Sequence, residues 1–326
     1  MVESVMKSTN FRIGLVLSGL TVVAFAAGLS LGSGGLAVFD RDNPLAPILL
    51  KLRLCRTLTA FIVGGALSVA GLIYQAVLRN PLAEPFVLGV SGGAGLAAVA
   101  AVWSGLTLTM VWALPAAALG GALLALAVVW LIAGREPPEF SNNALLAGVI
   151  VSSLASSGIM FFISTLGMRE LNSITWWLLG NLQGGNWPLL WFGGTTVIIL
   201  AALLTWYGRA VDLLTLGSEL AHNFGLPPRR ASCLLLLAAS LLAAVTVAMA
   251  GIIGFIGLIV PHILRRLFGV EHRLLIPAGM AGGGAFLIFC DTLARLAYPA
   301  QELPVGVITA LLGGPFFIWL LRRGRQ

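Results

Sequence analysis

Long apolar runs separated by short polar connections dominate the chain. Ten runs stand out, at about 11–33, 57–78, 87–104, 108–133, 144–166, 187–208, 231–250, 252–268, 274–298 and 303–321. A helix that crosses a bilayer needs roughly 20 apolar residues, and each run approaches that length. The pattern predicts an all-α polytopic membrane protein: one transmembrane domain over 1–326 with ten transmembrane helices. Several runs are rich in Gly, Ala and Ser, which let helix backbones approach closely in lipid. The first run has a basic approach, Lys7 and Arg12, and contains Ala24-Phe25-Ala26, as a signal peptide does, but its length favours a retained span.

The longest polar connections are 33–56, 167–186 and 209–230. The last mixes Leu213, Leu214, Leu216, Leu220 and Phe224 with polar residues, is punctuated by Gly217 and Gly225, and closes on Pro227-Pro228. It predicts one or two short helices lying at a membrane surface. Two readings are open: a plain amphipathic connector, or a docking surface for a cytoplasmic partner.

Composition agrees with the pattern. Of 326 residues, 59% are hydrophobic and 10% charged, where a soluble protein carries about 25% charge. Mean hydropathy is +1.00. The formal net charge of +7 does not point to nucleic acid, because the basic residues are scattered between apolar runs. It points to topology. With a cytoplasmic N-terminus, most of the 19 Lys and Arg fall on the cytoplasmic side, and an even number of spans returns the C-terminus there. Against this tendency, Arg41, Lys51, Arg53, Arg56, Arg169 and Arg295 fall outside. Cys55, Cys233 and Cys290 show neither metal-ligand spacing nor a disulfide framework.

Candidate chemistry is sparse. A P-loop needs a lysine after its glycines, and the only lysines, Lys7 and Lys51, follow no such loop. Asp291 is the one acid well inside an apolar run, and Arg295, four residues on, shares its helical face. A self-neutralising pair is a poor proton relay, so an ion-coupled secondary transporter is the weaker alternative. A transporter lacking both devices takes its energy from a partner. Gly89-Val90-Ser91-Gly92 matches the G-x-S-G of rhomboid-like serine proteases, with His262 as the only histidine near a span. The same glycines are more simply small residues at a helix contact. No catalytic or metal site is expected. Arg53 and Arg56, three apart, and Arg295 place three guanidiniums at the outer face, for lipid headgroups or for the carboxylates of an acidic protein. Pro81 followed by SGGAG at 91–95, and Pro261 followed by AGGGA at 281–285, hint at a repeat. Units of five spans would be inverted.

The stretch LRLCRTLTAFIVGGALSVAGLIYQAVLRNPLAEPFVLGVSGGAG, residues 52–95, resembles the permease subunits of type II ABC importers for ferric siderophores, haem and cobalamin. The similarity continues through LLAGVIVSSL (145–154), WWLLGNLQGGNW (176–187), LLTLGSELAHNFGLP (213–227), AGIIGFIGLIVPHILRRLFGVEHRLLIP (250–277) and DTLARLAYPAQELPVGVITALLGGPFFIWLL (291–321). The resemblance implies the family's inverted-repeat fold of ten transmembrane helices, a permease dimer in the bacterial inner membrane, two cytoplasmic ATPase subunits that bind ATP and Mg, and a periplasmic binding protein. It implies no cofactor on this chain. It assigns binding-protein docking to Arg53, Arg56 and Arg295, with Cys55 where relatives usually have proline. ATPase coupling falls to the 209–228 loop, with Leu216, Gly217, Glu219, Ala221 and Gly225. A cytoplasmic gate falls at Asn80, Pro81 and Leu82 and at Ser141 and Asn142. The fifth and tenth spans would line the pathway, with Ser152, Ser153, Ser156 and Ser157 as lining or as packing residues. Ferric siderophore is the expected cargo, then cobalamin or haem.

Overall fold

The computed structural model of the chain describes residues 2–32, 44–133, 139–183, 185–297 and 302–323. Among them the regular elements are helices: α1 (Val2–Ser30), α2 (Ala46–Val77), α3 (Val90–Trp103), α4 (Leu106–Thr109), α5 (Ala113–Ala133), α6 (Glu139–Ile163), α7 (Met168–Leu178), α8 (Trp187–Trp206), α9 (Gly208–Leu216), α10 (Ser218–Asn223), α11 (Pro228–Ala250), α12 (Ile256–Phe268), α13 (His272–Ala297) and α14 (Val305–Arg323).

Each expected apolar segment holds one of these helices, but they are not all long enough to cross a bilayer. Among the described residues seven are, namely α1, α2, α5, α6, α8, α11 and α13, while α3 and α14 carry shorter apolar stretches. With 14 residues in α3 and 13 in α12, each rises about 20 Å, short of the ~30 Å hydrocarbon layer. The reason is local. Both helices begin after non-helical chain, 78–89 and 251–255; the second, GIIGF, and the end of the first, VLG, are as apolar as a helix and so invisible to a hydropathy pattern. Each starts from a left-handed residue, Gly89 at φ 79° and Phe255 at φ 70°. The 209–228 connection folds as α9 and α10, broken at Gly217 with φ 130°.

The centre of the molecule is α2, buried along most of its length. It runs antiparallel to α13: Arg56 meets Asp291, Gly64 meets Gly283, and Ser68 lies beside Gly279. A Cβ on Gly64 or Gly283 would overlap the other's carbonyl oxygen, and one on Gly71 of α2 would overlap the carbonyl oxygen of Gly257 of α12. Such contacts bring backbones together, which is how helices gain van der Waals contact in lipid.

The packing repeats. α2 lies on α12 and α13 as α11 lies on α3 and α5, while α3, α5 and α6 pack together as α12, α13 and α14 do. This pairs α2, α3, α5 and α6 with α11, α12, α13 and α14. It corrects the pairing expected from the two proline–glycine signals. Pro81 precedes α3, whereas Pro261 lies inside α12, and Gly282, Gly283 and Gly284 sit in α13, the counterpart of α5. Gly92 packs instead on Ser152 and Ala155 of α6, and Gly93 on Gly121 of α5. Outside this core, α1 exposes Leu15, Val16, Leu20, Val22 and Val23, and α6 exposes Val149, Ile150, Leu154, Met160 and Phe161.

The α2–α13 crossing is testable. Gly283→Val forces the backbones apart and is expected to cost at least ~1–3 kcal/mol, seen as a lower melting temperature in detergent. Gly120→Ala, whose new methyl meets nothing within 4 Å, leaves the melt unchanged. Equal melts for wild type and Gly283→Val would refute the tight crossing.

Candidate functional site at the two ends of α2

At its first turns α2 carries the arginines singled out above. The Arg56 guanidinium donates to Asp291 through Nε (3.0 Å to Oδ1) and Nη2 (2.8 Å to Oδ1), and through Nη1 to Glu302 at 2.6 Å. Gln183 Nε2 donates to the same Glu302 oxygen at 3.0 Å. Arg295 Nε pairs with Asp291 Oδ2 at 3.1 Å, so the expected i,i+4 pair forms, but Asp291 is shared by two guanidiniums. Arg295 also donates to the carbonyls of Gly28 (3.1 Å) and Leu31 (2.8 Å), and Arg53 to those of Leu29 (3.1 Å) and Ser30 (3.0 Å). Together they cap the last carbonyls of α1, which have no partner inside their own helix.

The structure therefore brings Arg53, Arg56 and Arg295 together, yet not as bare cations. The Arg295 side chain is 3% exposed and that of Arg56 13%. Donors expected to face another protein are engaged within the chain. Glu302, which sequence reading left aside, is the more exposed of the two internal carboxylates, at 20%. Cys55 is buried in the same turns.

The other end of α2 meets the connection 209–228. Arg79, held at φ 49°, donates to the Leu214 carbonyl at 3.1 Å and to the Ser218 hydroxyl at 3.2 Å. It thereby ties the end of α2 to the α9–α10 break. Asp212 of α9 accepts the His272 backbone N–H at 3.0 Å and pairs with His272 Nδ1 at 2.6 Å, which fixes α9 to the start of α13. Of the residues expected to couple, Ala221 is buried, Glu219 is exposed, Gly217 and Gly225 stand at positive φ, and Leu216 is 62% exposed. Leu220 and Phe224 are exposed beside it. Neither Arg79 nor Asp212 had a sequence signal, because each acts through a partner remote in the chain.

Between α2 and α3 lies the expected gate turn. Asn80 Oδ1 accepts the Leu82 N–H at 2.9 Å, a local turn that leaves Pro81 and Leu82 exposed. The side chains of Ser141 and Asn142 lie outside the described residues, but the next turns of α6, Ala144 and Ala147, share a cluster with Leu78 and Ala83. On α6, Ser153, Ser156 and Ser157 are exposed and Ser152 half-buried. Ser156 and Ser157 donate to the carbonyls four residues back, so their hydroxyls are satisfied within the helix.

Further along the same loop, Glu84 Oε1 accepts the Phe255 N–H at 2.7 Å, at the start of α12. An acid at a helix N-terminus offsets the positive end of the helix dipole. Pro85 packs on Gly257, so this loop binds the two halves of the repeat together. The protease alternative finds no support in the geometry: His262 stacks edge-on against Phe316 at 6.0 Å, and among the described residues no hydrogen bond joins it to Ser91.

Comparison with known proteins adds the following. The model of the FecCD transport family matches residues 13–323. The vitamin B12 import system permease protein BtuC of Shigella boydii serotype 18 is 37% identical over 324 residues, 97% of either chain. The cobalamin import system permease protein BtuC of Halobacterium salinarum is 39% identical over 309 residues, 95% of this chain and 80% of that protein. A solved structure assigned to a metal-chelate type ABC transporter, in an inward-facing conformation, superposes with TM-score 0.85 at 28% identity, covering 97% of this chain and 99% of that one.

Asp291 is the keystone of the charged end. Asp291→Asn leaves two buried guanidiniums under-compensated and is expected to cost ~3–5 kcal/mol. Glu302→Gln, on the more exposed partner, costs ~1 kcal/mol or less. Thermal unfolding of the two variants in detergent checks the order, and equal losses would contradict it.

Proposed function

This chain belongs to the FecCD transport family, and on that premise we propose that it is the membrane-spanning permease subunit of an ATP-driven metal-chelate importer. The observation that carries the reading is the route through α2. One rigid helix joins a charged end to a surface, α9–α10, whose exposed Leu216, Leu220 and Phe224 suit a docking partner. Two cytoplasmic ATPase subunits seat there and bind ATP and Mg. Their closure moves α9–α10, and Arg79 and the Asp212–His272 pair carry the motion into α2 and α13. ATP biases the equilibrium only through its different affinity for the two states.

The cargo we propose is cobalamin. Support comes from relatives named for vitamin B12 or cobalamin import at 37–39% identity over most of the chain. We therefore rank cobalamin ahead of the ferric siderophore expected first from sequence, with haem after both. In this reading ten helices span a bacterial inner membrane with both termini cytoplasmic. The short α3 and α12 are completed by their non-helical leads, and the two four-helix units are inverted repeats. A second copy faces α6 and α14, so that Ser152, Ser153, Ser156 and Ser157 line a pathway gated at Asn80, Pro81, Leu82, Ser141 and Asn142. A periplasmic binding protein docks at the opposite face. There an incoming carboxylate reaches Arg56 by displacing Glu302, while Arg53 and Arg295 hold the surface in place.

Two measurements test this. In proteoliposomes holding the chain with its cognate ATPase and binding protein, labelled cobalamin accumulates only with ATP, and ferric siderophore and haem do not. Accumulation of a different chelate would move the cargo but keep the importer. Uptake driven by an ion gradient without the ATPase would overturn it. Separately, Phe224→Ser is expected to weaken ATPase binding about tenfold or more, measured on the purified complex, with an unchanged melt.

A further inference from the structure

We propose that a cavity at the coupling end is an oxyanion socket that receives the carboxylate of an acidic side chain from the subunit docked on α9–α10. It rests on the importer reading and goes beyond it by naming the chemistry of the contact. The cavity, about 250 Å³, lies between the end of α2, α9 and the α12–α13 junction, and is lined by Gln75, Arg79, Thr215, Arg265 and His272 among others.

Three observations converge on an anion. First, the half-buried Arg265 guanidinium donates to Gln75 Oε1 and, at 3.5 Å, to the Leu72 carbonyl, and among the described residues no carboxylate pairs with it. Gln75 is itself fixed, donating through Nε2 to the Gly257 carbonyl at 2.9 Å. A partly buried cation served only by neutral acceptors is under-compensated. Second, His272, which lines the cavity, is 3% exposed with Nδ1 held by Asp212, and its Nε2, without a hydrogen-bond partner, donates to an anion when the ring carries both protons. Third, Arg79 adds a second guanidinium at the mouth. Asp212 is already engaged by the His272 ring and backbone, and the exposed Glu271 lies between the lining residues Val270 and His272. Guanidiniums receive carboxylates bidentately, so the socket selects geometry as well as charge.

The surroundings decide which anion. Thr215, which lines the cavity, is followed by the exposed Leu216, on a connection that also carries exposed Leu220, Glu219, His222 and Arg229. An apolar patch rimmed by charge is the surface of a protein partner rather than a lipid-facing wall. The carboxylate therefore arrives on the same subunit that covers Leu216 and Phe224, and fixes its register against α2.

The test uses the full chain and its cognate ATPase subunit in detergent. Arg265→Gln and the exposed Arg79→Gln are each expected to raise the ATPase Kd roughly tenfold or more at constant salt. A double-mutant cycle against one acidic residue of the ATPase should show coupling with Arg265. Should Arg265→Gln lower the melting temperature, Arg79→Gln carries the comparison. Unchanged Kd in both variants, with Phe224→Ser still weakening the complex, would overturn the socket and leave the importer standing. Loss of co-purified phosphatidylglycerol in Arg265→Gln at unchanged ATPase affinity would overturn it in favour of a lipid site. No ATPase binding by wild type would remove the importer reading, and the socket with it.

Discussion

The close crossing of α2 with α13 and α12 is the constraint on which the rest of the structure depends. Gly64 against Gly283 and Gly71 against Gly257 leave no room for a side chain, and lipid supplies no hydrophobic force to hold helices together. Van der Waals contact at this distance replaces it. The crossing sets which ends meet: because the helices run antiparallel, Arg56 reaches Asp291 at one end, while the C-terminal turn of α2 lies beside the start of α13 at the other. A single stiff element then links two polar faces separated by the length of a membrane span.

Both faces solve the same problem, the cost of unsatisfied polar groups away from bulk water. At the charged end, Arg53 and Arg295 complete the C-terminus of α1, and Arg56 and Arg295 divide Asp291 between them. In the interior, where α12 starts from a non-helical lead, the Glu84 carboxylate takes the Phe255 N–H. Non-helical backbone at such depth is tolerated because protein surrounds it: Gly251 lies against the Trp177 carbonyl and Gly306 against those of Leu179 and Ile252.

At the coupling end the compensation is incomplete. Arg79 and Asp212 have partners that tie α9 to α2 and α13, but Arg265 and His272 Nε2 retain unused donor or acceptor capacity around a cavity. That remainder is the observation from which the socket is proposed.

How much was legible follows from the range of each interaction. Local periodicity was enough for the helices, for the break at Gly217 and for the Asp291–Arg295 pair, since these depend on residues a few positions apart. The ten-run pattern also located α3 and α12, but not their shortness, because hydropathy does not distinguish an apolar helix from apolar non-helical chain such as 251–255. The sequence brought Arg53, Arg56 and Arg295 to one face. It did not show that Glu302, 246 residues from Arg56 in the chain, closes that site, nor that α1 takes up the donors of the other two. The two proline–glycine signals matched segments that are not counterparts, and the pairing emerged only from which helices touch. The sequence by itself determined the membrane class, the helices and the family, because burial in lipid imposes its pattern residue by residue. The tertiary structure decided which charges are satisfied and which remain open, because that depends on partners that only the packing of distant helices brings within hydrogen-bond reach.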